Sequence, residues 1–280
     1  MEEPRIDALL PAEMAHKAEE IGVKKAQGAA LPLFALAILA GAFIALGAVF
    51  ATTVATGGAA LPFGVARLLT GLSFCLGLVL VVVGGAELFT GNNLIAMAWA
   101  SRRITTGALL RNWAIVYAGN FVGAIGIALL VVFAGHHHLA GGAVGATALK
   151  IAVGKLGLGF GQAIALGILC NILVCLAVWL TFSARSTTDR ILAVIFPIAA
   201  FVAAGFEHSV ANMYFIPVAL LLEAIDPSFV AAAGVDVSAL GGGAFFGKNL
   251  LPVTIGNVLG GSLFVAATYW AIFLRPRASQ

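Results

Sequence analysis

Gly205-Phe206-Glu207-His208-Ser209-Val210-Ala211-Asn212 interrupts one long apolar run, and Gly85-Ala86-Glu87-Leu88-Phe89-Thr90-Gly91-Asn92 interrupts another. In both, a Glu follows the Gly by two positions and an Asn follows it by seven. The flanking apolar runs are residues 191–206 and 209–222 in the first case, 68–86 and 88–101 in the second. A helix needs about 20 apolar residues to cross a bilayer, so the later run of each pair is too short to span alone. Each pair therefore reads as one membrane span broken partway through.

Working outward, residues 31–54, 112–135, 156–184 and 249–274 are long and charge-free, and give four further spans. A charge at the centre of a membrane helix costs about 2.5–3.5 kcal/mol on insertion scales, which is why charge-free runs mark them. The composition agrees. Of the 280 residues 61% are hydrophobic and 10% are charged, with a mean hydropathy of +1.07; soluble domains carry roughly 25% charged residues. Twelve of the 27 charges lie before Ala26 or after Leu274, so lipid must cover most of what remains.

Other classes fall away. A net charge of +3, with basic residues scattered through short loops, makes no nucleic-acid surface. Cys75, Cys170 and Cys175 sit inside apolar runs without a CxxC pair, so they read as small core residues, and no disulfide, metal site or cofactor is expected. No cleaved leader is expected either, because the first 25 residues mix acids and bases. The expected organisation is a cytoplasmic amphipathic segment over residues 1–25 (Ile6, Leu9, Leu10 and Met14 on one face), a six-span channel domain over 26–274, and a cytoplasmic tail over 275–280.

With six spans, the termini and the loops after spans two and four share one side. That side collects Arg5, Lys17, Lys24, Lys25, Arg102, Arg103, Arg111, Arg185, Arg190, Arg275 and Arg277; the other has Arg67, Lys150, Lys155 and Lys248. Basic residues accumulate on the cytoplasmic side, which places both termini in the cytoplasm and suits a multi-pass protein of a bacterial inner membrane.

The two halves of the chain repeat each other. Asn112, Gly119, Asn120 and Gly123 in span three match Asn249, Gly256, Asn257 and Gly260 in span six, with the same spacings. Three spans per copy put the second copy upside down in the membrane, giving an all-α integral membrane fold with a 3+3 inverted repeat. Irregular backbone at membrane depth survives only where protein or a water-filled cavity satisfies it, and breaks at matching positions point to the permeation path. Thr90, Gly91, Asn92 and Ser209 suit caps and tight turns there.

Glu87, Asn92, Glu207 and Asn212 recur in both copies, so they read as supports for the broken backbone; Asn120 and Asn257 read as interhelical hydrogen-bonding groups. Asn171 lies mid-span and needs a partner. His208 differs, because its counterpart is Leu88: a support common to both halves has no use for an imidazole in one. Lys155 reads as a basic residue at the external start of span four, either a snorkelling anchor or an attractor of anions. His136-His137-His138 lies in an external loop with no second ligand group spaced around it, so metal binding is not expected.

These motifs resemble the formate/nitrite transporter family over nearly the whole chain. They are the second-span stretch 85–92, Asn171 within 167–177, the fifth-span stretch 205–213, and 252–257. The stretch 206–217 and Arg185-Ser186 are more similar to its formate channels, while Gly91-Asn92-Asn93 follows the general family pattern. The resemblance implies an aquaporin-like protomer, a homo-pentamer with one pore per protomer, and passage of small monovalent anions or their acids. Formate is the first expectation; nitrite and hydrosulfide are the alternatives. It also implies a central polar site at Thr90, Asn171 and His208, apolar constrictions at Phe74, Leu78, Leu88 and Phe201, and a vestibule lysine at Lys155.

An apolar constriction opposes a bare anion, since an unpaired charge in low dielectric costs several kcal/mol. Lys155, with Lys248 and the helix ends at the breaks, would raise the local anion concentration. Low dielectric would raise the substrate's own pKa, so a weak acid would take a proton and pass as a neutral molecule. His208, bonded to Asn171 and near Thr90, would relay that proton or stabilise the anion directly. An intramembrane enzyme would need a second catalytic group near His208, and Glu207, about 100° away on a helix, is poorly placed. An aquaporin-like channel for neutral solutes would need neither Lys155 nor His208.

Overall fold

The computed structural model describes residues 9–275; Arg5, Ile6, Arg277 and residues 276–280 of the expected tail lie outside the described residues. Eleven helical elements organise it. They are α1 (Pro11–Ala26), α2 (Ala30–Ala55), α3 (Phe63–Gly84), α4 (Ala96–Ala100), α5 (Thr106–Phe133), α6 (Ala143–Leu156), α7 (Phe160–Thr181), α8 (Thr187–Ala204), α9 (Ser209–Ile225), α10 (Pro227–Ala232) and α11 (Gly242–Phe273). α2 and α5 are spans one and three, and α7 and α11 are spans four and six. The broken spans are α3 with α4, joined through a 3-10 turn at Gly91–Ile95, and α8 with α9.

Both breaks begin the same way. α3 ends at Gly85 with φ +76° and α8 ends at Gly205 with φ +78°. This left-handed conformation stops a helix, and glycine adopts it without the Cβ clash. The next amides turn back onto the helix: Ala86 N–H donates to Val81 O at 2.9 Å and Phe206 N–H to Phe201 O at 3.0 Å.

The repeat is held by crossings too tight for any side chain. α5 crosses α2 so closely that a Cβ on Gly123 would lie 2.0 Å from Ile38 O, and α11 crosses α7 so closely that a Cβ on Gly256 would lie 2.3 Å from Ile164 O. Small residues let membrane helices approach in this way. The approach brings the side chains of α5 and α11 within reach of the two breaks.

One element is new relative to the sequence reading. Lys155 does not begin span four; it lies in the last turn of α6, and span four starts only at Phe160, after a turn containing Gly157 and Gly159. Residues 136–156 are apolar enough for a span, but the backbone turns through left-handed Ala140, Gly141 and Gly142. What continues is the 14-residue α6, about 21 Å long against roughly 30 Å of hydrocarbon. α6 stands before α7 as α1 stands before α2, so it completes the repeat rather than adding a span.

The sidedness is geometric as well as statistical. Arg103 at the end of the second span bonds Glu19 of α1 at 2.7 Å. Ser183, after span four, donates to Leu9 O, and Trp270, near the end of α11, donates to Ser101. These segments share one face. α1 packs Met14, Ala15 and Ala18 against Leu94, Ala96 and Met97, so Met14 of the expected apolar face is covered by protein, while Leu10 stays half exposed.

Candidate permeation site

Each break is closed by a matching set of polar side chains. Glu87 N–H donates to Leu36 O and Glu207 N–H to Leu166 O, each at 3.2 Å. Asn120 reaches from α5, donating to Ala37 O and Glu87 O and accepting from Phe89 N–H. Asn257 reaches from α11, donating to Gly167 O and Glu207 O and accepting from Ser209 N–H. Asn92 donates to Glu87 and Asn112, and Asn212 to Glu207 and Asn249. Backbone freed at membrane depth is thus satisfied by protein, as it must be where water is absent.

Each carboxylate also holds a lysine. Lys155 Nζ lies 2.7 Å from Glu207 Oε1, and Lys25 Nζ lies 3.0 Å from Glu87 Oε2. Asn249 donates to Lys155 O, and Asn112 donates to Lys25 O. Lys25 and Lys155 are 130 residues apart, as are Leu36 and Leu166, so they are repeat equivalents. Sequence reasoning missed Lys25, which sits in a charged segment that reads as solvent-facing. The 130-residue register between spans one and four was the signal that could have found it.

Two cavities of about 260 Å³ enter the molecule. The Lys155 vestibule is lined by Arg67, Lys150, Lys155 and Glu207 and ends against Phe74, Phe201 and His208. Phe74 and Phe201 pack edge to face with centroids 5.6 Å apart, and Phe201 stacks on His208 at 5.9 Å. Arg67 donates to Ala203 O and Val202 O at the end of α8, which leaves Lys150 and Lys155 as the side-chain ammonium groups there. The Lys25 vestibule is lined by Lys25, Glu87 and Asn92 and ends against Leu78 and Leu88. The four residues expected to form constrictions are thus split, the aromatic pair facing one mouth and the leucine pair the other.

Between them lies the central polar group. Thr90 is fully buried and follows Leu88 on the Lys25 side, yet its Oγ1 lies 2.9 Å from His208 Nε2. His208 caps α9, its Nδ1 accepting the Ala211 N–H at 3.0 Å. An acceptor at Nδ1 fixes the tautomer: the neutral ring carries its proton on Nε2 and donates it to Thr90 Oγ1. The Thr90 hydroxyl then keeps its own proton to give, since no other partner for Oγ1 exists among the described residues.

The expected hydrogen bond between His208 and Asn171 is replaced by a shared partner. Asn171 Nδ2 lies 2.7 Å from Asn93 Oδ1 and 2.7 Å from Asn257 O, which take its two protons, and 3.2 Å from Thr90 O, which shares one of them, so it touches the carbonyl of Thr90 while His208 holds its hydroxyl. Asn171 is kept in place by Gly261, where a Cβ would lie 2.5 Å from its Nδ2. Gly261 belongs to a π-helical stretch of α11, Leu259–Ala267, and such bulges often reshape a helix at functional sites. Asn93 is a second residue missed in the sequence. Lys248 lines neither vestibule.

Fold and site together define a membrane channel or transporter, with a Lys–Glu pair in each mouth and a buried polar centre between them. Comparison with known proteins makes this specific. The family model described as "Formate/nitrite transporter" matches residues 12–271, and the chain belongs to that family. It is 48% identical to the formate channel FocA of Escherichia coli (strain K12) over 96% of both chains. It is 43% identical to the formate channel FocA of Haemophilus influenzae over 92% of both. Among solved structures, a pentameric formate channel with formate bound superposes with a TM-score of 0.82 at 46% identity, covering 88% of this chain and 98% of that one. The family is one of channels and transporters.

Proposed function

We propose that this chain is a formate channel of a bacterial inner membrane, working as a homo-pentamer with a pore in each protomer. Both termini face the cytoplasm in this reading, so the Lys155 vestibule opens outward and the Lys25 vestibule inward. The excess of basic residues on the face shared by α1 and α4 supports that orientation. The substrate follows from the names of the relatives, each of which is called a formate channel. Nitrite and hydrosulfide, of similar size and charge, are the next candidates.

The observation that carries the reading is the Thr90–His208 hydrogen bond, buried between two vestibules that each hold a Lys–Glu pair. Lys150 and Lys155 outnumber Glu207 in the outer mouth and concentrate anions there. Phe74 and Phe201 then exclude the bare anion, because leaving water unpaired costs several kcal/mol. A weak acid escapes that cost by taking a proton in the low-dielectric mouth. At the centre the Thr90 hydroxyl donates to a substrate oxygen, while the His208 Nε2–H polarises that hydroxyl from behind. Lys25 serves the inner mouth as Lys155 serves the outer.

This geometry favours stabilisation by His208 over relay. Giving up the Nε2 proton would leave an imidazolate, and taking a second proton requires Nδ1 to release the Ala211 cap. In proteoliposomes loaded with a pH dye, formate should acidify the lumen faster than nitrite, hydrosulfide, acetate, lactate or chloride. His208→Asn should slow formate entry while leaving the protons carried per formate unchanged; loss of acid-coupled flux with anion flux retained would restore the relay. Fast nitrite or hydrosulfide flux with little formate signal would move the substrate assignment to those anions. Glycerol or water flux without anion flux would refute anion transport.

A further inference from the structure

Outside the pore, the fold assembles a group that the local sequence does not show. His137 and His138 lie in the turn after α5, and Asp226 lies between α9 and α10, all on the Lys155 face. Neighbouring side chains on a helix diverge by about 100°. Here, left-handed Gly135 on one side and Ala140, Gly141 and Gly142 on the other confine the turn, and the two rings lie with centroids 4.0 Å apart. Both Nε2 atoms converge on one oxygen: His137 Nε2 is 3.3 Å and His138 Nε2 3.7 Å from Asp226 Oδ2.

The carboxylate is held in that orientation. Its other oxygen, Oδ1, accepts the Ser228 hydroxyl at 2.7 Å and the Phe229 N–H at 3.0 Å. These two donors occupy Oδ1 and leave Oδ2 turned toward the imidazoles. Phe229 packs against both imidazoles, edge to face with His137 at 4.9 Å and perpendicular to His138 at 5.6 Å. The packing leaves no slack: a Cβ on Gly145 would lie 2.4 Å from Phe229 Cζ and 2.9 Å from His137 Cβ.

We propose that His137, His138 and Asp226 form a binding site for one divalent transition-metal ion of the zinc type. The three ligand atoms lie within 4.8 Å of one another. Bonds of about 2.0–2.1 Å in a tetrahedron put ligand atoms roughly 3.3–3.4 Å apart, close to the two Nε2–Oδ2 distances observed. Two imidazoles and one carboxylate suit Zn²⁺, Ni²⁺ or Cu²⁺, whereas Mg²⁺ and Ca²⁺ take oxygen ligands. His137 is buried, while the His138 side chain is 62% exposed, which leaves the fourth position open to water. The ion would tie the start of α6 to the end of α9, two helices that wall the Lys155 vestibule.

The test is calorimetric titration of ZnCl₂ into the purified, tag-free full-length protein in detergent, with Co²⁺ absorption as a second readout. We expect saturable binding of one ion per chain and visible d–d bands of tetrahedral Co²⁺. Asp226→Asn keeps the Oδ1 acceptor that caps α10 but loses the anionic ligand, and should weaken binding more than about 100-fold. Ser228→Ala, which only orients the ligand, should weaken it about 10- to 100-fold, as second-shell changes do. His136→Ala should leave binding unchanged. Binding that survives Asp226→Asn, or that His136→Ala reduces as much, would overturn the site and assign the metal to the histidine run alone. Gel filtration and formate flux of each variant separate lost binding from lost folding.

Discussion

Thr90, Asn93, Asn171 and His208 meet at the centre of the molecule, and none has a polar counterpart in the other half. Their repeat equivalents are Val210, Met213, Gly41 and Leu88. The polar residues common to both halves (Lys25 and Lys155, Glu87 and Glu207, Asn92 and Asn212, Asn112 and Asn249, Asn120 and Asn257) all join the networks that close the breaks. Symmetry therefore separates the groups that close the breaks from those that lie between the two vestibules. The same comparison that singled out His208 in the sequence would have found Asn93, had it been carried along the whole turn 90–95. Replacing Thr90 with Val, which keeps the shape but loses the hydroxyl, tests the central donor. Formate flux should fall roughly 5- to 100-fold, since leaving a buried polar group without its partner costs about 1–3 kcal/mol, and Thr90→Ser should restore most of it. Equal flux in Thr90→Val would remove the hydroxyl from the path.

At the scale of helices, the breaks depend on crossings set by glycine. Gly123→Ala puts a methyl 2.0 Å from Ile38 O, and α5 must withdraw from α2, taking Asn120 with it. The expected cost is about 1–3 kcal/mol, the usual range for overpacking, seen as a lower Tm in detergent. Gly126 lies on the same helix with nothing within 4 Å of a Cβ, so Gly126→Ala should be neutral or slightly stabilising. Similar losses in both variants would refute the crossing argument. The spans themselves were readable because charge is so costly in lipid that its absence marks each one. α6 was not, because its apolar residues and its two lysines look alike whether the chain crosses the membrane or turns back. Only the left-handed turn at Ala140–Gly142, set by backbone rather than composition, separates it from a span.

For the whole molecule, the two mouths share a scaffold but differ in charge. Arg67, Lys150 and Lys155 face one carboxylate, Glu207, in one vestibule; Lys25 faces Glu87 in the other. Lys150→Gln should therefore lower formate flux at low salt, and the difference from the parent should vanish as ionic strength rises. Screening shortens from about 30 Å at 0.01 M to about 3 Å at 1 M. A deficit that persists at high salt would point to lost packing instead. The sequence told the two faces apart by loop charge, but it could not show that Lys155 is already paired. That pairing depends on Glu207 turning into the vestibule from a break 52 residues away.

Asn120 and Asn257 each belong to the span that follows the break they close. A chain made from its N-terminus delivers α3 to the bilayer before α5 exists, so the amide of Phe89 and the carbonyl of Glu87 wait for their partner. The same delay recurs between α8 and α11. Span two and span five are thus unfinished when they first leave the ribosome, each completed only when the third helix of its triplet arrives. A nascent chain halted between Gly91 and Asn120, or between Ser209 and Asn257, carries a break whose polar groups still lack their partner.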